Sequence, residues 1–149
     1  MSDDGFDLPP GYEKYVDAET FLQILEMDDD DDDGREFSSA LVMGFFEQAE
    51  TTFKQMEDLL QEKDLQALSS LGHFLKGSSA TLGIFKMRDS CEKIQHWGAL
   101  KDEAGENDID EDEALKKISD VMPTLKSEFE AARKWLNDFY HNEEEEDDE

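Results

Sequence analysis

The stretch Leu71-Gly72-His73-Phe74-Leu75-Lys76-Gly77-Ser78-Ser79-Ala80-Thr81-Leu82-Gly83-Ile84 decides how the chain is read. Leu71, Phe74, Leu75, Ser78 and Leu82 recur at intervals of three and four, the spacing of one helical face, so this stripe is expected to pack inward. His73, Lys76 and Gly77 share another face, because residues three and four apart are neighbours on a helix surface. Gly72 and Gly77 stand inside the helix, where each costs about 1 kcal/mol relative to alanine. Bare backbone on both sides of the histidine is expected to serve the close approach of another protein. Gly83 is the expected left-handed residue that ends the helix.

Outward from this stretch the same period continues. A segment over about 85–97 carries Met87, Cys91, Ile94 and Trp97 at intervals of three and four, with Gly98 as its expected stop. Upstream, Asp64 is a cap for the central helix. Before it a long helix over about 39–63, capped by Ser38 or Ser39, presents Leu41, Phe45, Phe46, Ala49, Phe53, Met56, Leu59 and Leu60. A short helix over 18–27, with Asp17 as cap, carries Phe21, Leu22, Ile24 and Leu25. Between the two, Asp28 to Asp33 is an unbroken aspartate run, whose self-repulsion and poor helix propensity predict an exposed connector. It lacks the alternating ligands and closing glutamate of a calcium loop, so no metal is expected there.

Residues 1–15, with Pro9 and Pro10, predict a flexible N-terminal tail. Residues 99–111 read as one long polar loop. The last helix is expected over about 112–141, presenting Leu115, Ile118, Val121, Met122, Leu125, Phe129, Ala132, Leu136 and Tyr140. Pro123 predicts a kink, or a break with restart near Asp120. Residues 142–149 predict a disordered acidic tail. No segment alternates with period two over strand length. The expectation is an all-α fold: an antiparallel four-helix bundle with an additional short N-terminal helix, forming a single domain over 16–141.

The chain holds 41 acidic against 14 basic residues, a formal charge of -27. Such a surface repels phosphate backbones, so nucleic acid is not an expected partner. Cys91 is the single cysteine, so an internal disulfide is excluded and a reducing compartment, cytoplasm or nucleus, is expected. No apolar run reaches the roughly 18 residues of a membrane span, and no membrane association is expected. The same charge opposes self-association, and a monomer is expected.

His73 is the histidine with chemistry around it; His96 and His141 read as ordinary boundary or surface residues. A neutral imidazole is a competent nucleophile towards an activated phosphoryl group. The positive charge of Lys76, one turn on, disfavours protonation of the imidazole beforehand and offsets phosphoryl charge afterwards. There is no phosphate-cradling glycine loop and no room for an ATP-binding domain, so no autonomous kinase activity is expected.

The string His73-Phe74-Leu75-Lys76-Gly77-Ser78-Ser79, followed by Leu82 and Gly83, resembles the signature of histidine-containing phosphotransfer proteins of the fungal, osmosensing type. Phe45 to Met56 and Cys91 to Gly98 are similar to that family in order and spacing, and the resemblance covers about 16–140. It implies that His73 takes a phosphoryl group from an aspartyl phosphate on the receiver domain of a hybrid histidine kinase and passes it to the aspartate of a response-regulator receiver, in osmotic or oxidative stress signalling. It implies that Lys76 steadies the phosphoryl group, that Gly77 leaves room for the receiver, and that Gln95 hydrogen-bonds the imidazole. The chain would need no cofactor of its own, with Mg2+ carried by the receiver. Ile24, Phe37, Leu41 and Phe74 are candidates for receiver docking, comparable to positions the family uses; helical periodicity does not separate a covered stripe from a docking patch. A competing expectation is an acidic helical interaction module or chaperone for basic proteins, motivated by the charge and the tail from Glu143 to Glu149. An enzyme acting on a small molecule lacks a second catalytic group or metal-ligand cluster in the sequence.

Overall fold

The computed structural model describes residues 11–28 and 36–148, with side chains through residue 140. Residues 1–10 of the expected tail and the aspartates from 29 to 33 lie outside the described residues. A 3-10 turn at Tyr12–Lys14 leads into α1 (Ala18–Leu25), α2 (Glu36–Glu62), α3 (Leu65–Leu82), α4 (Phe85–Gly98) and α5 (Glu111–Asp148). The long helices α2 to α5 form the expected bundle, and α1 lies across it.

The ends of α3 follow from local chemistry. The Asp64 carboxylate accepts the Ala67 N–H at 3.1 Å, and Gly83 adopts φ 78° as the left-handed C-terminal residue. The Ser79 carbonyl then accepts the Ile84 N–H at 2.9 Å, which turns the chain directly into α4. Gly83 also holds the N-terminal segment: its carbonyl accepts the Asp17 N–H at 2.7 Å. Asp17 precedes α1 as expected, although its carboxylate accepts from the Thr20 hydroxyl and not from a helix N–H.

The bundle interior is aromatic at one level and aliphatic at the next. Phe129 of α5 packs edge-on against Phe46 and Phe53 of α2, with Phe45 tilted beside it. Phe21 of α1 meets Trp135 and Phe139 of α5, and Tyr15 stacks on Trp135. Residues 11–15 of the expected tail are therefore draped on the domain. Leu68 and Leu75 of α3, Met87, Cys91 and Ile94 of α4, and Ile118, Leu125 and Leu136 of α5 are fully buried. Each large side chain so buried contributes about 1.5–3 kcal/mol relative to exposure.

Five expectations are corrected. Ser38 does not cap α2 but lies inside its first turn, fully buried; the Asp28 carboxylate accepts both the Ser38 N–H and its hydroxyl, and the Tyr140 hydroxyl donates to Ser38 Oγ at 2.9 Å. α5 does not break at Pro123. Pro123 and Ser119, whose carbonyl the ring deprives of a partner, are both on the solvent face, so water can meet that carbonyl while Ile118, Met122 and Leu125 stay packed. Gly98 does not stop α4; it is a helical residue pressed against α3, and Leu100 two residues on takes the positive φ of 65°. The inward stripe of α3 consists of Leu68, Leu75, Ser79 and Leu82, while Phe74 points out. The helix expected to end near 141 also continues through Asp148 in its backbone, along a glutamate run of good helix propensity.

The α4–α5 loop is more ordered than its polarity foretold. Lys101 and Asp108 form an antiparallel bridge, and the Asp102 carboxylate accepts from the Glu106 N–H and from Asn107, bonds that hold it down to about 2. His96 Nδ1 sits 2.8 Å from the Glu103 carbonyl, an acceptor, so that nitrogen carries the proton. His96 is thus a loop clasp and has no part in the site around His73.

Candidate functional site

His73 projects from the third turn of α3 into solvent, and its imidazole makes no hydrogen bond with any described residue. The residues that place it are glycines and small side chains on the α3–α4 seam. A Cβ on Gly72 would lie 2.9 Å from both the Cys91 carbonyl oxygen and the Gln95 nitrogen, and 3.1 Å from Ile94 Cγ2. A Cβ on Gly98 would lie 2.7 Å from Leu65 O and Ser69 N. The two helices therefore touch backbone to backbone above and below the Ser69 hydroxyl, which donates to the Gln95 carbonyl at 2.8 Å. This corrects the expectation that Gly72 keeps space for a partner: α4 fills that space.

Gly77 is the opposite case. It is exposed, and nothing lies within 4 Å of a Cβ built on it. The fold does not need this glycine, so its cost to the helix is explained only by something outside the bundle.

Lys76, half-buried between His73 and Gly77, reaches across the seam, where its Nζ lies 3.2 Å from Glu92 Oε2 on α4. Glu92 is the residue that sequence reasoning missed: no local pattern links positions sixteen apart on two helices. Gln95 is on the same side of α4, half-buried, but no hydrogen bond joins it to His73; its amide Oε1 is enclosed and without a partner among the described residues. Behind the seam, burial and then the charge of Glu128 push the Cys91 thiol up to about 12, so it stays an inert core thiol.

The four docking candidates separate. Phe37 is 47% exposed, Leu41 38% and Phe74 43%, all unusual for large apolar side chains. Ile24 is only 5% exposed, because it shares the inward stripe of α1 with Phe21 and Leu25, and it belongs to the core. The exposed residue of that segment is Met27, at 64%, which lies past the last turn of α1, where periodicity gives no signal. Beside Leu41, a shallow groove between α2 and α3 is lined by Gly44, Gln48, Ser78 and Thr81. On α3 this groove lies one to two turns beyond His73, toward the C-terminal end of the helix. Among the described residues no group of His, Cys, Asp and Glu is placed to hold a metal ion, and no helix is long and apolar enough to cross a membrane.

Comparison with known proteins agrees with this geometry. Residues 40–135 match the model of the Hpt domain. The chain is 48% identical over 126 residues to multistep phosphorelay regulator 1 of Schizosaccharomyces pombe, covering 84% of this chain and 42% of that protein. It is 52% identical over 77 residues to the phosphorelay intermediate protein YPD1 of Saccharomyces cerevisiae, covering 51% of this chain and 44% of the relative. The matched stretches span less than half the length of these relatives. Among solved structures, the Saccharomyces cerevisiae histidine phosphotransfer signaling protein Ypd1, crystallised with the receiver domain of its downstream response regulator Ssk1, superimposes with a TM-score of 0.73 at 34% identity, over 91% of this chain and 98% of that one.

Proposed function

The chain belongs to the Hpt-domain family, and from that premise we propose that it is a phosphorelay intermediate that carries its phosphoryl group on His73. A ring nitrogen of neutral His73 attacks the phosphorus of an aspartyl phosphate on the receiver domain of a hybrid histidine kinase. A P–N bond forms, the P–O bond to aspartate breaks, and its electron pair leaves on the aspartate carboxylate. The same exchange in reverse delivers the group to the aspartate of a response-regulator receiver and restores the imidazole. Transfer of this kind depends on in-line positioning and charge neutralisation, so the receiver supplies Mg2+ and the bundle supplies a nucleophile on a rigid helix.

The observation that carries this reading is the surface around His73: an exposed imidazole with no hydrogen-bond partner among the described residues, next to a glycine that none of them requires. Phe37, Leu41, Phe74 and Met27 supply apolar area for a receiver domain, the kind of partner with which Ypd1 was crystallised. Lys76 offsets charge on the phosphoryl group. The enclosed, unpartnered Oε1 of Gln95 supports a role in accepting the imidazole N–H once the ring is loaded.

Transfer of radiolabel tests the reading. A receiver domain carrying labelled aspartyl phosphate, mixed with the chain and Mg2+, is expected to pass acid-labile, base-stable label to the wild type and none to His73→Gln. A second receiver added afterwards is expected to take it up. Folded wild-type protein that accepts no label from several receivers would end the phosphorelay reading.

A further inference from the structure

We infer that Glu92 is a positioning residue that competes with the phosphoryl group for Lys76 and thereby sets how tightly His73 holds its load. The inference rests on the reading of His73 as the phosphoryl carrier and assigns a regulator of that same site. Its basis is the ion pair across the α3–α4 seam, with Lys76 Nζ 3.2 Å from Glu92 Oε2 and side chains 33% and 43% exposed. Partial burial makes the pair stronger than a freely solvated one, since fewer waters screen it.

Lys76 is one turn from His73 on the same face, within reach of a phosphoryl group on the ring. That group brings a charge of roughly -1.5 to -2 and three acceptor oxygens to the site. Two anions then share one ammonium. Whatever Lys76 gains from the phosphoryl oxygens is reduced by what it gives up with Glu92.

Two other cations are paired within their own segments: Arg88 with Asp89 at 3.0 Å and Lys101 with Asp108 at 2.5 Å. A carboxylate that holds the lysine beside the phosphoryl site works against retention. That suits a carrier, which has to release what it accepts.

The test uses Glu92→Gln, which keeps shape and hydrogen bonding but removes the charge. Wild type and variant are equilibrated with a labelled receiver domain and Mg2+, and the label is partitioned between receiver and chain. The expected result is a shift towards the chain of roughly three- to five-fold, with slower hydrolysis of the isolated phosphoprotein by a similar factor. In a Lys76→Met background the same Glu92→Gln change is expected to lose most of this effect, because the competition runs through the lysine.

Unchanged or decreased occupancy in Glu92→Gln overturns the inference, and so does an equal gain in the Lys76→Met background. Thermal melting establishes that each variant is folded. Should Glu92→Gln not fold, Glu92→Asp, whose carboxylate is drawn back by one methylene, is expected to shift the label in the same direction by less, and no shift overturns the inference. Wild type that takes no label at all defeats the phosphocarrier reading, whereas labelled wild type with an indifferent Glu92→Gln defeats only the role of Glu92.

Discussion

Gly72 and Gly77 are five residues apart on one helix, and each is there for a different reason. Gly72 faces α4 at backbone contact; Gly77 faces open space. The first is a requirement of folding, whereas nothing among the described residues requires the second. The contrast separates the two sides of α3, a closed side that fixes His73 in place and an open side that presents it.

The largest effect should come from comparing two adjacent large residues on those sides. Leu75 is fully buried and Phe74 is 43% exposed. Leu75→Ala is expected to cost about 2–5 kcal/mol in denaturant unfolding, whereas Phe74→Ala should cost under about 1 kcal/mol. Phe74→Ala should instead weaken receiver binding, measured by titration calorimetry. Equal stability losses would break the division of α3 into two sides.

Next in size is Gly72→Ala. The added methyl meets backbone atoms of α4 at 2.9 Å, which cannot swing aside as a side-chain tip would. Overpacking of about 1–3 kcal/mol should outweigh the roughly 1 kcal/mol that alanine gains in helix propensity. Gly77→Ala should have the reverse sign in the same assay, adding about 0.5–1 kcal/mol, because the new Cβ meets nothing.

The smallest effect lies behind the seam, at Glu128 of α5. Desolvation raises its carboxyl above the ordinary range, against the Ser90 hydroxyl that donates to it at 2.7 Å. The folded state therefore holds a proton to higher pH than the unfolded state does. The associated stability is present in full below the unfolded value and is lost as pH rises through the folded one. Solvent screening keeps this under about 0.5 kcal/mol. Glu128→Gln should flatten the part of the stability–pH curve that begins at the ordinary glutamate value of about 4.3 and runs upward from it.

The same contrast shows what was legible in the sequence. The cap at Asp64, the turn at Gly83 and the joint placement of His73, Lys76 and Gly77 depend on neighbours within one helical turn, and local spacing encodes them. The uses of Gly72 and Gly98 depend on α4 lying against α3 at backbone distance, which no single-helix pattern records. For the same reason, Ile24 could not be told from a docking residue, since an apolar stripe looks alike whether covered or free. The break that was one of two expectations at Pro123 does not occur, because on the solvent face water can satisfy the carbonyl it leaves without a partner. Glu92 was invisible because its meaning arises from an ion pair between helices.

The central claim is that the bare backbone at Gly77 exists for a protein partner and not for the chemistry of the imidazole. Gly77→Gln separates the two when transfer from a receiver domain is compared with phosphorylation of His73 by the small donor phosphoramidate. The account predicts receiver transfer slowed by at least about tenfold, the scale of losing one well-placed contact at the reacting centre, with phosphoramidate labelling within about twofold of wild type. Equal slowing with both donors, or no slowing with either, would contradict it.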